Sequence, residues 1–293
     1  MILTIITPSY NRAYCLPHIY HALLANNRED FEWILVDDGS VDGTEALANE
    51  WTRKNEINFR YYKLENGGKA YALYNGFKNK PRGRFTLVLD SDDYLETNII
   101  DFFKAELLKL EPGYIGLVGL KSDTKGNIIG SKFNYESGTY LDIYYSKKSS
   151  TGDKLFIIAT QLYAAHIRLP LQGEKMLPDS IVYISLVDKG RFKFYNKIFY
   201  KGDYLEDGWS SNIVQILRKN INGVILEKKL LQQLPLYFKH DILNNIKYIY
   251  YSLISKKRFV EIVKSSNNRL YSVLLYFFGW LYFMKNHNKT YKN

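Results

Sequence analysis

The chain has 293 residues, 46% of them hydrophobic and 24% charged, enough for one large domain or two modest ones with buried cores. A single cysteine, Cys15, excludes an internal disulfide and a thiolate metal cluster, and fits a reducing compartment. The net charge is +10, yet residues 239–293 carry ten Lys and Arg against Asp241 and Glu261, which leaves only about +2 for everything before them. Basicity gathered in a tail favours an anionic surface as partner over a nucleic-acid groove across the core.

The opening run ILTIIT (2–7) lacks the basic n-region and the longer apolar h-region of a signal peptide. It reads as a first strand, and the chain is expected to stay in the cytoplasm. Helical spacing from about Leu16 to Asn26 leads to a second strand, EWILVDD (32–38). Asp42 followed three residues later by Glu45 is a capping-box-like pattern that predicts a helix from about Gly43 to Arg53. NFRYYKL (58–64) and FTLVLDS (85–91) are two more strands, with a helix from Gly68 to Lys78 between them. Such repeated βα units predict a largely parallel sheet, and open sheets of this kind bind ligands beyond their strand carboxyl ends. No G-x-G-x-x-G or P-loop sequence is present, which weakens a dinucleotide or P-loop reading.

LVLDSDDYL (87–95) gathers Asp90, Asp92 and Asp93 at the end of a buried strand. Like charges this close are costly in low dielectric unless a cation neutralises them, and a hard divalent ion bridging carboxylates to a diphosphate would do so. After about Lys121 the βα rhythm fades, giving a less regular half at 121–238. The tail, 239–293, carries two aromatic stretches with a helical look, 246–254 and 270–284.

The motifs TPSYNR (7–12), VDDGSVDGT (36–44), NGGKAYALYNG (66–76) and LDSDD (89–93) resemble the family 2 glycosyltransferases of the GT-A fold, over about residues 1–120. The resemblance implies an α/β fold with a Rossmann-like, mostly parallel sheet flanked by helices, a less regular acceptor half and a helical tail. It implies an inverting transfer of sugar from a nucleotide-diphosphate donor, most often uridine-linked, to a saccharide or lipid-linked saccharide in surface-polysaccharide assembly. Pro8 and Tyr10 would hold the uracil ring, with Asn11 and Arg12 in the same loop. Either Asp37 or Asp38 enters the nucleotide pocket while its neighbour caps a turn, and the family pattern favours Asp38. Asp90 and Ser91 would lie by the donor ribose, Asp92 would hold Mn2+ or Mg2+, and Lys69 either reaches the diphosphate or is an ordinary exposed lysine. For Asp93 the expectation is a solvated loop before a helix starting near Thr97.

An inverting transfer needs a base for the acceptor hydroxyl. Relatives supply an acid from the second half, and here Asp179 stands in that position, where it either acts as base or caps the helix that follows. Glu206 and Asp207 are its rivals. His240 is read as a surface residue, although some relatives recruit a late histidine to the metal. Other readings are a nucleotide-sugar-binding module without catalysis and a basic nucleic-acid-binding protein; intact Asp90 and Asp92 oppose the first, and the tail location of the charge opposes the second.

LYSVLLYFFGWLYFM (270–284) is uncharged and, as one helix, reaches roughly 22 Å against a hydrocarbon core of roughly 30 Å. That is short for a span, so the expectation is peripheral contact with an anionic membrane or, alternatively, packing on the core.

Overall fold

The computed structural model describes residues 1–203 and 213–287. Its first half alternates β1 (Leu3–Ser9), α1 (Leu16–Leu24), β2 (Phe31–Asp37), α2 (Thr44–Lys54), β3 (Phe59–Lys63), α3 (Lys69–Lys78) and β4 (Phe85–Val88). The four strands are parallel in the order β3-β2-β1-β4. Every residue of β1 and β2 is buried, as a strand covered on both faces requires.

The two-residue period of the strands sorts their side chains into two cores. Leu3, Ile5, Trp33 and Leu35 face one layer, built with Leu16, Ile19 and Trp51 of α1 and α2. Ile6, Ile34 and Val36 face the other, against Leu73 and Phe77 of α3. Gly76 lets α3 approach this closely, since a β-carbon there would sit 2.9 Å from Ile6.

The chain continues through β5 (Tyr94–Leu95), α4 (Ile99–Leu108), β6 (Tyr114–Ser122), β7 (Ser137–Gly138), α5 (Tyr140–Tyr144), β8 (Lys154–Ala159), α6 (Thr160–His166), α7 (Ser180–Ser185) and β9 (Arg191–Lys201). These strands extend the same sheet: β8 joins β4 antiparallel, and β6, β9 and β5 follow in order. Strands from both halves of the sequence therefore end around one cleft.

Two local expectations are corrected. Asp42 and Glu45 form no capping box: Asp42 accepts the Thr44 and Ala13 amides, while Glu45 pairs with Lys63. The helix expected near Thr97 is present from Ile99, after Tyr94 and Leu95 pair with Lys201 and Tyr200 of β9. The uncharged stretch 270–284 is two helices, split where Leu275 and Tyr276 turn into an apolar cluster with Ile225, Tyr248, Ile249 and Ile262.

That cluster belongs to a C-terminal array: α8 (Ile213–Lys219), α9 (Ile221–Leu231), α10 (Phe238–Ile254), α11 (Phe259–Ser265), α12 (Arg269–Leu274) and α13 (Tyr276–His287). The inner face of α10 is pinned to the core. Tyr248 and Ile249 are fully buried, and Gln232 binds Asn245, Ser266 and the Asn267 amide. The outer face of α12 and α13 leaves Leu270, Leu274, Phe277, Phe278 and Leu281 exposed. Among the described residues no helix is long and apolar enough to cross a membrane.

Candidate active site

A cleft of about 920 Å³ opens at the carboxyl ends of β1, β2 and β4. At the end of β2, two successive aspartates part company. Asp37 turns inward, accepting the Ser40 amide and the Tyr61 hydroxyl. Asp38 lines the cleft, its two oxygens accepting the Gly67 and Gly68 amides at 2.8 Å each, with the Asn66 side chain at 3.1 Å. Burial raises the Asp38 pKa, while those two amides and nearby Lys175 pull against it. Gly68 has φ of +91°, and a β-carbon there would run into the Lys175 carbonyl, so this turn needs glycine.

Strand β4 ends at Val88, which leaves Asp90, Ser91, Asp92 and Asp93 on the loop beyond it. One carboxylate oxygen from each of the three aspartates lies within 4.8 Å of the others. Burial, then the charge of Asp90, raises the Asp92 pKa. Asp93 is not in a solvated loop: it is buried, its pKa is pushed up to about 7 by desolvation, and Lys121 answers it at 2.8 Å.

Lys69, the first residue of α3, is not an exposed lysine. Its side chain is 19% exposed, and its ammonium lies 2.8 Å from both Asp90 and Asp179. Burial opposes its charge, but Asp179 and Asp90 outweigh that and hold its pKa well above the usual lysine value. Asp179 occupies the N-cap position of α7 yet makes no side-chain cap bond. The capping role is thereby set aside, since its carboxylate is turned to Lys69.

Pro8, Tyr10 and Arg12 also line the cleft, Tyr10 being 47% exposed. Asn11 does not. It sits at φ of +52° with its side-chain oxygen accepting the Val41 amide and its own amide bound to the Ser40 hydroxyl, so it braces the loop behind the site. His240 lies outside the cleft lining, beside Ser149, Tyr145 and Tyr237. Glu206 and Asp207 lie outside the described residues.

The far end of the cleft went unread in the sequence: Tyr140, Tyr144, Asp153, Lys154, Tyr183, Tyr200 and Asp203 line it. Lys154 donates to the Thr151 and Gly152 carbonyls, and burial lowers its pKa to about 8. No local motif marks these residues. They meet only in the fold, Tyr140 and Tyr144 coming from α5, Tyr183 from α7, Lys154 from β8 and Tyr200 from β9.

The acidic loop suits a hard divalent cation. It supplies oxygen donors alone, close enough to share an ion, and Asp92 is a carboxylate whose charge is incompletely compensated. Among the described residues no other cluster of His, Cys, Asp or Glu has this form.

The family model for glycosyl transferase family 2 matches residues 4–152, just over half of the chain. The chain belongs to that family. A hyaluronan synthase of Pasteurella multocida is 24% identical to this family 2 chain over 279 residues, 90% of this chain but 27% of that protein. The chain spans roughly a third or less of the curated relatives it matches. Among solved structures, S. aureus TarS 1–349 in complex with UDP-GlcNAc matches with a TM-score of 0.63 at 19% identity, covering 86% of this chain and 73% of that one. The mannosyltransferase PcManGT from Pyrobaculum calidifontis, in complex with GDP-Man and Mn2+, matches with a TM-score of 0.57 at 14% identity over 95% of this chain and 79% of that one. These matches establish the GT-A α/β fold of the family 2 chain.

Proposed function

We propose that this chain is an inverting, metal-dependent hexosyltransferase that moves a sugar from a uridine-diphosphate sugar to a saccharide or lipid-linked saccharide in surface-polysaccharide assembly. The observation that carries the reading is the convergence of Asp38, the Asp90–Asp92 loop and Asp179 on one cleft, although they lie in three separated parts of the sequence. Residues 1–120 bind the donor in this account and 121–238 the acceptor. The TarS complex with UDP-GlcNAc supports the uridine donor, and the likeness to a hyaluronan synthase supports the polysaccharide setting.

Tyr10, half-exposed, offers a flat face for the base, with Pro8 in the same cleft lining. Asp38 fixes the Asn66–Gly68 turn and faces the ribose, and Asp90 and Ser91 border the same sugar. Asp92, with Asp90 beside it, would hold Mn2+ or Mg2+. Such an ion offsets charge that builds on the leaving diphosphate, more in the transition state than before it. Asp179 takes the proton of the acceptor hydroxyl, which enters past the tyrosines of the far end.

The exposed apolar side of α12 and α13, next to Lys264, Arg269 and Lys285, supports work at an anionic membrane surface on the cytoplasmic side, where a lipid-linked acceptor resides. A thermal-shift screen of uridine, guanosine and cytidine diphosphate sugars with and without Mn2+ tests the donor reading. A Mn2+-dependent rise confined to uridine compounds is expected. An equal rise for all nucleotides, or none for any, contradicts it.

A further inference from the structure

Lys69 stands at an electrostatically awkward place. The first turn of a helix carries partial positive charge from its unpaired amides, and a lysine there is normally disfavoured. Its position must also be held by Gly68, whose positive φ no other residue adopts easily and whose β-carbon position is filled by the Lys175 backbone. The reward is the ammonium between Asp90 and Asp179. The carboxylates are 45% and 42% exposed, but the lysine side chain only 19%, so the cation is the buried partner and is poorly placed to exchange with water.

This ammonium occupies the ground between the acidic loop and the candidate base. Any divalent ion that draws on an Asp90 oxygen competes with it, since one carboxylate shared by two cations stabilises each less than either alone. We propose that Lys69 is an internal counter-ion that occupies Asp90 and ties Asp179 to it when no donor is bound, so that a divalent cation binds tightly only together with a nucleotide diphosphate. The phosphates then give the ammonium a new partner, and Asp179 is released for the acceptor hydroxyl. The inference rests on the metal-dependent reading above and adds an order to it: metal and nucleotide enter as a pair.

The test is Mn2+ binding to the full chain, followed by calorimetry and by the Mn2+ spin-resonance signal, with no sugar and no turnover. Lys69→Met keeps an unbranched side chain of similar length without the charge. In the absence of nucleotide it is expected to bind Mn2+ about tenfold or more tightly than wild type, the size of effect a contacting opposite charge exerts on a carboxylate. Lys175→Met is the control for the general field, because Lys175 contacts Asn66 rather than a carboxylate. It is expected to stay within about twofold of wild type, as exposed charges are screened.

Uridine diphosphate should raise Mn2+ affinity strongly in wild type and much less in Lys69→Met. If Lys69→Met loses its cooperative melting transition, Lys69→Gln is measured in its place with the same expectation. Mn2+ binding alone that is no tighter in the charge-free variant, or a shift matched by Lys175→Met, overturns the inference. Should wild type bind no Mn2+ even with uridine diphosphate, the metal reading of the site fails and the inference with it. Should wild type bind Mn2+ with the nucleotide while the variants behave alike, the counter-ion role alone fails.

Discussion

Asp38 and Gly68 are locked to each other across the cleft floor: an Asp38 oxygen accepts the Gly68 amide at 2.8 Å, and the turn that presents this amide exists only because residue 68 is glycine. The pair joins the end of β2 to the start of α3, and thereby sets where Lys69 begins. Asp38→Ala leaves the amides of Gly67 and Gly68 without their acceptor, while the Asn66 side chain keeps only the backbone carbonyl of residue 38. A loss of about 1–3 kcal/mol in stability is expected, read by urea unfolding, together with at least tenfold weaker uridine diphosphate binding. Unchanged nucleotide affinity contradicts the placement of Asp38 at the donor.

Gly68→Ala separates conformation from chemistry, because it removes no functional group. The left-handed backbone and the contact with the Lys175 carbonyl together are expected to cost about 1–3 kcal/mol and to displace Lys69. Melting should fall and nucleotide affinity should fall with it. A variant that melts and binds like wild type shows that the turn is not fixed as described.

Asp179→Asn is expected to lower turnover by roughly 10²-fold or more while uridine diphosphate still binds in the presence of Mn2+. Because Asp179 makes no cap bond, a stability change would report its pairing with Lys69 rather than helix α7. Near-wild-type turnover moves the base role to Glu206 or Asp207.

For the C-terminal helices the expected outcome differs between their two faces. Ending the chain at Tyr237 uncovers Ile225 and removes the partners of Gln232, so the truncated protein should lose stability rather than remain an intact donor-binding unit. Phe277→Ala with Trp280→Ala touches exposed side chains and should leave melting nearly unchanged. Full-length protein should co-sediment with anionic vesicles, less so at high salt, and this double variant should bind less at low salt too. Equal sedimentation of wild type and variant removes the membrane role of that face.

The first half is readable because its strands alternate regularly with helices and are followed by polar motifs at their ends. Leu3–Ser9, Phe31–Asp37 and Lys69–Lys78 fall within a residue or two of expectation for this reason. The pairing of Asp37 with Tyr61 could not be read, since it depends on the register of β2 against β3. The burial of Asp93 is illegible for a related reason: its partner, Lys121, comes from β6 and is brought near only by sheet order. Asn11 carries a recognisable motif position, but a left-handed backbone turns its amide to residues 40 and 41. The second half has mixed strand pairing and no regular alternation of strand and helix, so neither its cleft-lining tyrosines nor, in the tail, the break at Leu275 left a periodic trace.

The most direct test of the metal-dependent donor site is calorimetric titration of uridine diphosphate into wild type and Asp92→Ala, each with Mn2+ and with a chelator. The Asp92 carboxylate accepts from its own backbone amide rather than bracing a neighbouring turn, and its removal relieves a desolvated charge, so the variant should fold. Binding to wild type should be at least tenfold tighter with Mn2+ than with chelator, and that difference should vanish in Asp92→Ala. An equal Mn2+ dependence in the two proteins contradicts the account.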